Sequence, residues 1–424
     1  MHILGCVSLN GGDAAILVAQ REVLLRQWPG ARVTASDTDA VVASRYLPDI
    51  TFVPFLAPAA PREGARLPAR ASRLLHRAAC ARVKAAASLH ARGLPALARA
   101  VVPPAAAEAL ATMAAADVLT YTGGTSLTDN YALGDKVFDL DVARRLRKPL
   151  AFFPQSAGPF RKQENREGLR PVLAAADLVL LRDERSFRHV VEVGADPGRC
   201  RVVPDIVFVL ARPGLLESGD RPDTAHPPRL AVSVREWAHF RDKDRERGMA
   251  DYADSLRAAV VSAVRERGAE VTFVSTCQGR PEYVRDDSAF AVRVVEGLPA
   301  DVREHVVVDR AAHHPEELID VLAGFDAMLS TRLHGAISAV CAGVPTLTVA
   351  YEYKTTEVWG QMGLSEWSVE IDDVTPGILS ERVLALLDDA PRLRKLVAAA
   401  VPPMAAGAEA VGPLVAGVVD RRSA

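Results

Sequence analysis

The side chains best equipped for chemistry cluster late in the chain, at Thr331, Arg332, Leu333, His334 and Gly335, within the segment from Asp326 to Tyr351. The runs 327–329 and 346–350 are short and largely apolar, while Ala336, Ile337, Val340 and Cys341 recur at helical spacing. The segment therefore reads as strand, turn, helix and strand. Such a βαβ unit sets Arg332 and His334 at a helix N-terminus beyond the carboxyl end of a strand, where open backbone N–H groups and the helix dipole favour an anion. Taken singly, an arginine before a helix is commonly solvated and a lone histidine commonly structural. Their pairing on one turn, with Gly335 permitting close backbone approach, points to a site for a small phosphate or carboxylate.

Other parts of the chain repeat this pattern. Residues 3–9 form an apolar run ahead of Asn10-Gly11-Gly12-Asp13 and a helical stretch over 14–24. Asp13 reads first as a helix cap; Asn10 and Asp13 become acceptor-binding candidates if their turn faces the site around Arg332. A strand over 116–122 ends in Gly123 and Gly124, and one over 149–154 runs into Gln155-Ser156-Ala157-Gly158-Pro159-Phe160. Residues 178–181 precede Arg182-Asp183-Glu184-Arg185-Ser186, and 201–203 precede Pro204-Asp205-Ile206. Strands that all end in polar or glycine-bearing loops imply a parallel, doubly wound sheet. After a Pro, Gly and Asp-rich linker over 213–228, a second α/β series begins, with strands over 230–234, 271–275 and 306–308 and helices over 252–267 and 315–323. The expected organisation is thus an N-terminal Rossmann-like domain, 1–212, a linker, a C-terminal Rossmann-like domain, 229–380, and a helical tail, 381–424.

Composition narrows the class. At 424 residues the chain exceeds one ordinary core, and its net charge of -2 argues against bulk affinity for nucleic acid, so anion recognition must be local. Residues 1–5 lack a basic segment leading into a signal-length apolar run, and a cytoplasmic location is expected. Cysteines at 6, 80, 200, 277 and 341 show no paired spacing; they read as free thiols, and no metal motif is visible. One stretch is unusual. Between 58 and 104 lie Arg62, Arg66, Arg70, Arg73, Arg77, Arg82, Lys84, Arg92 and Arg99, with Glu63 as the acidic counterweight. A basic amphipathic insertion of this kind can lie on an anionic membrane surface, line a groove for a charged polymer, or stand as a solvated helical hairpin.

The loop residues quoted above, together with Val232-Ser233-Val234-Arg235, Gly343-Val344-Pro345, Tyr351 and Lys354, make the chain resemble the polysaccharide pyruvyl transferase family over about 3–365. The resemblance implies two Rossmann-like domains facing a cleft, the GT-B-like arrangement. It implies transfer of a pyruvyl group from phosphoenolpyruvate, a co-substrate and not a bound cofactor, to hydroxyls of a saccharide or lipid-linked glycan precursor as a pyruvate ketal. Carried onto matching positions, it places the donor at Arg235, Arg332, Leu333 and His334, with two arginines each gripping one anion in a bidentate manner; Gly335 on the same turn and Lys354, as a further point charge, complete the donor-side candidates. His334 becomes the candidate general acid or a phosphate ligand, Asp13 or Asp205 the base, and Asn10, Asp13, Gly123, Gly124 and Gln155 the acceptor side. Two rivals share the fold: a nucleotide-sugar glycosyltransferase, with Glu352 or Glu357 on the ribose, and an enzyme of the same family acting on a small secondary metabolite.

Overall fold

The computed structural model describes residues 1–58, 69–217 and 226–423. Two parallel sheets organise it. The first contains β1 (His2–Cys6), β2 (Thr34–Asp37), β3 (Thr51–Pro54), β4 (Leu119–Tyr121), β5 (Leu150–Gln155), β6 (Leu178–Leu181) and β7 (Cys200–Val202), in the order β3-β2-β1-β4-β5-β6-β7. The second contains β8 (Arg229–Ser233), β9 (Glu270–Phe273), β10 (Val306–Val308), β11 (Ala327–Ser330), β12 (Thr346–Ala350) and β13 (Ser368–Glu370), in the order β10-β9-β8-β11-β12-β13. Counted from its own first strand, the second sheet runs 3-2-1-4-5-6, the order of dinucleotide-binding sheets, and the first adds one strand to that series. β1, β4, β11 and β12 are buried at every residue, as expected of parallel strands covered on both faces.

The strands at 34–37 and 368–370 carry no apolar run in the sequence. β2 reads Thr-Ala-Ser-Asp, and its polar groups are satisfied from β1: the His2 ring meets Thr34 Oγ1 at 2.8 Å and Ser36 Oγ at 2.7 Å. Burial pushes that imidazole down to about 3, so it is neutral, and the polar strand is locked into the interior.

The chain divides into two compact units, one of Met1–Ser8, Gln20–Ile206 and Ala410–Ala424, the other of Leu9–Ala19 and Val207–Glu409. The division falls before Val207, ahead of the 213–228 linker drawn from composition. Pro213–Glu217 is a helix with Leu216 buried, and 218–225 lie outside the described residues, as do Arg62, Glu63 and Arg66. Most consequential is that the turn after β1 belongs to the second unit. The run 390–422 is long and apolar enough to cross a membrane by length and composition. Its Leu393, Val397 and Val401 are buried, however, as are Val411, Val415 and Val418 farther on, and Pro402 and Pro403 lie within it.

In the first unit, the carboxyl ends of the strands converge on Arg182. Its Nη1 donates to Asp205, its Nη2 to Gly124 O at 2.9 Å and Thr125 Oγ1 at 2.6 Å, and its Nε to Ser156 Oγ at 3.3 Å. Arg182 and Asp205 are each 1% exposed. Arg182→Leu strands the Asp205 carboxylate in this interior and should destabilise the protein by about 3–5 kcal/mol; denaturant unfolding reads the change, and a loss below about 1 kcal/mol would contradict the assignment.

Candidate functional site

In the second unit the switch in strand order falls between β8 and β11, and ligands of open α/β sheets bind outside the carboxyl ends at such a point. Three of those ends, of β8, β9 and β11, are tied together by one buried network. Asp287 accepts from Arg332 Nε at 2.8 Å and Nη2 at 2.5 Å, and from Ser275 Oγ at 2.6 Å; Ser275 Oγ in turn meets Ser233 Oγ at 2.9 Å. Thr331 N donates to Ser233 O at 2.8 Å, and the Thr331 hydroxyl meets Tyr252. Burial opposes the Arg332 charge, but Asp287 beside it holds that guanidinium well above its ordinary value. The bidentate edge of Arg332 is therefore occupied by an acid. The expected two-point grip of Arg332 on a ligand anion is corrected accordingly: this arginine braces the site, with Nη1 left over.

The helix Leu333–Cys341 starts directly after this pair, with Arg332 at its N-cap making no side-chain capping hydrogen bond. Leu333 is buried in the core, so what it can offer a ligand is backbone N–H. Gly335 sits where a Cβ would come within 3.3 Å of both Ser233 Oγ and Ser330 Oγ, which is why the helix can start so close to two strand ends. His334 is half-buried on the same first turn.

Against this turn docks the start of the helix Gly11–Gln27. A Cβ at Gly11 would lie 1.8 Å from Thr276 O, and one at Gly12 would lie 2.6 Å from His334 Nδ1, so both glycines are demanded by contact. Asn10 is committed to holding this arrangement. Its Oδ1 accepts from Gly12 N at 3.0 Å, Asp13 N at 3.4 Å and the Cys277 thiol at 3.4 Å, and its Nδ2 donates to Tyr283 OH at 3.2 Å. Arg280 Nη1 donates to Leu9 O at 3.1 Å from the same loop. Asp13 is half-buried nearby. Burial first, then Cys277 and Asp13, push the Tyr283 phenol up to about 12.

Arg235, just past β8, is the cation left most open. Its guanidinium lies 4.1 Å from the centre of the Tyr351 ring and 5.3 Å from that of Trp237, and its Nε donates to Glu236 O at 3.3 Å. Tyr351 and Trp237 are themselves 4.6 Å apart. A guanidinium laid flat on an aromatic face keeps its N–H edge for an anion. Lys354 pairs with Glu352 at 2.6 Å, so its charge is largely balanced. The remaining sequence candidates lie in the first unit. Gly123, Gly124 and Gln155 are buried, Gly124 pairs with Gln155 as an isolated bridge, and Gln155 Nε2 donates to Phe153 O at 3.4 Å. Asp205, the other base candidate, is paired with Arg182 in the first unit.

Sequence reasoning missed Asp287, Ser275, Tyr283 and Cys277. All come from the loop and helix start after β9, whose residues carry no recognisable motif. No group of three or more His, Cys, Asp or Glu suited to a metal ion occurs among the described residues. A helix glycine replaced by alanine ordinarily gains about 0.5–1 kcal/mol. Gly12→Ala should instead lose about 1–3 kcal/mol by overpacking against His334. Denaturant melts give the sign, and an unshifted His334 imidazole signal in the NMR spectrum of the variant would deny the contact.

Residues 10–353 match the family model described as polysaccharide pyruvyl transferase. The amylovoran biosynthesis protein AmsJ of Erwinia amylovora is 27% identical over 292 residues, covering 67% of this chain and 69% of that one. Among solved structures, UDP-GlcNAc 2-epimerase from Neisseria meningitidis bound to UDP-GlcNAc has a TM-score of 0.55 at 10% identity, covering 99% of this chain and 100% of that one. Anabaena Alr3699/HepE in complex with UDP-glucose has a TM-score of 0.53 at 11% identity, covering 100% of this chain and 98% of that one. Those two likenesses establish the GT-B-like fold. With its match over 10–353, the chain belongs to the polysaccharide pyruvyl transferase family and is a transferase of polysaccharide biosynthesis.

Proposed function

We propose that the protein transfers the pyruvyl group of phosphoenolpyruvate to hydroxyls of a saccharide or lipid-linked glycan precursor, closing a pyruvate ketal. The observation that carries this reading is the pairing, at one switch point, of a guanidinium with an open edge and a helix start bearing a histidine. Phosphoenolpyruvate has two anionic ends, a carboxylate and a phosphate. Arg235 suits the planar carboxylate, and the first-turn N–H groups at Leu333, His334 and Gly335 suit the phosphate. Arg332, Asp287 and Ser275 hold those two receptors in register.

In this reading His334 protonates the methylene carbon, leaving a positive centre at C2. An acceptor hydroxyl adds to C2 and gives up its proton, with Asp13 the nearest candidate base on the facing turn. The bond from C2 to the bridging oxygen breaks and inorganic phosphate leaves with the electron pair. A neighbouring hydroxyl then adds to C2, loses its proton and completes the ketal. Glu352 is engaged by Lys354, which leaves a nucleotide ribose without that carboxylate.

Two measurements test the assignment. His334→Ala should keep donor affinity while turnover drops on the order of 10²–10⁴-fold. Arg235→Ala should weaken phosphoenolpyruvate binding by about 1.5–3 kcal/mol, roughly ten- to a hundredfold, with Arg235→Lys a poor substitute. Unaltered calorimetric binding by Arg235→Ala would place the donor elsewhere. The pH profile supplies a separate check. Burial pushes the Tyr351 phenol up, but Lys354 and Arg235 outweigh it and hold it below the ordinary 10. As pH rises through that lowered value, phenolate forms against Arg235 and offsets its charge, so the donor KM should climb. Tyr351→Phe keeps the ring under Arg235 and should abolish the climb; a profile identical to wild type refutes the coupling.

A further inference from the structure

The basic segment of the first unit has no part in the chemistry above. From 64 to 107 there is no acidic residue, although the chain as a whole carries a net charge of -2. The helix Ala69–His90 turns Val83, Ala86 and Ala87 into the core. Its opposite face carries an exposed apolar stripe, Leu74, Ala78, Ala81 and Ala85, at steps of four, three and four residues. Arg70, Arg73 and Arg77 run beside that stripe at the same helical spacing, exposed and without an ion pair to another described residue. Leu74 and Leu75 are 69% and 59% exposed, far more than a leucine packed in a core. Lys84 and Arg82 serve the fold instead: Lys84 pairs with Asp141 at 3.0 Å, and Arg82 donates to Val101 O at 2.8 Å, fastening the following helix Pro95–Val101. That second helix exposes Leu97 by 53%, next to Leu94 at 43%.

We infer that this face docks on an anionic lipid surface, the leucines entering the headgroup boundary and the arginines meeting lipid phosphates. A solvated hairpin has no use for exposed leucines, and a soluble polyanion would need the arginines alone. Arginine stems lying along the apolar stripe while their heads reach outward fit an interfacial helix. The inference is independent of the donor site, since no residue named here belongs to it.

Sedimentation of the full chain with phosphatidylcholine vesicles, with and without phosphatidylglycerol, tests it. Binding is expected with the anionic vesicles alone. The combined Arg70→Gln, Arg73→Gln, Arg77→Gln variant should bind about a hundredfold more weakly, from about 1 kcal/mol per basic side chain near an anionic surface. Leu74→Ser with Leu75→Ser should also weaken it, and both variants should retain wild-type phosphate release from phosphoenolpyruvate in the presence of a water-soluble acceptor. Equal sedimentation with neutral vesicles, no sedimentation with either kind, binding unchanged in the arginine variant, or capture of a soluble acidic polysaccharide in place of vesicles would overturn it.

Discussion

The buried ion pair between Arg332 and Asp287 is the constraint on which the second unit's site depends. Asp287 is 4% exposed and Arg332 7%, so neither charge is compensated by water. Breaking such a pair from one side leaves a naked charge inside, whereas the intact pair with Ser275 and Ser233 joins the ends of β8, β9 and β11 into one rigid edge. That edge fixes where the Leu333 helix begins and so where His334 stands. The first unit uses the same device at Arg182 and Asp205. In both, an arginine just past a strand organises the loops around it.

An arginine at a helix N-terminus looks alike in sequence whether it faces a ligand or an acid. Only the loop after β9 decides, because it carries Asp287, and nothing in its spacing marks it. Arg235 was legible from its place after β8, but its aromatic bed of Tyr351 and Trp237 was not, since those rings meet only once β8 and β12 take their places in the sheet. The long apolar strands and their glycine-bearing turns could be read directly. β2 could not, because its burial rests on His2 bridging Thr34 and Ser36 rather than on an apolar pattern.

The glycines of the first turn show a different kind of legibility. Asn10-Gly11-Gly12-Asp13 reads as a capped helix start, and so it is, with Asn10 as the cap. What sequence spacing does not convey is that this helix start packs with the second unit, against Thr276 and His334, where any side chain would collide. Residues 9–19 therefore group with the second unit, although they lie within the 1–212 stretch read from the sequence. The turn also brings Asp13 into the neighbourhood of the histidine, the one acidic sequence candidate that remains with the donor residues.

Determining where phosphoenolpyruvate sits is the most direct test of the account, by crystallography of the full chain with the compound bound. The account predicts one anionic end on the open edge of Arg235 above Tyr351, the other on the first-turn N–H groups of the Leu333 helix, and Arg332 still paired with Asp287. Density for the compound at Arg182 in the first unit, or an Arg332 swung away from Asp287 to grip it, would contradict the account.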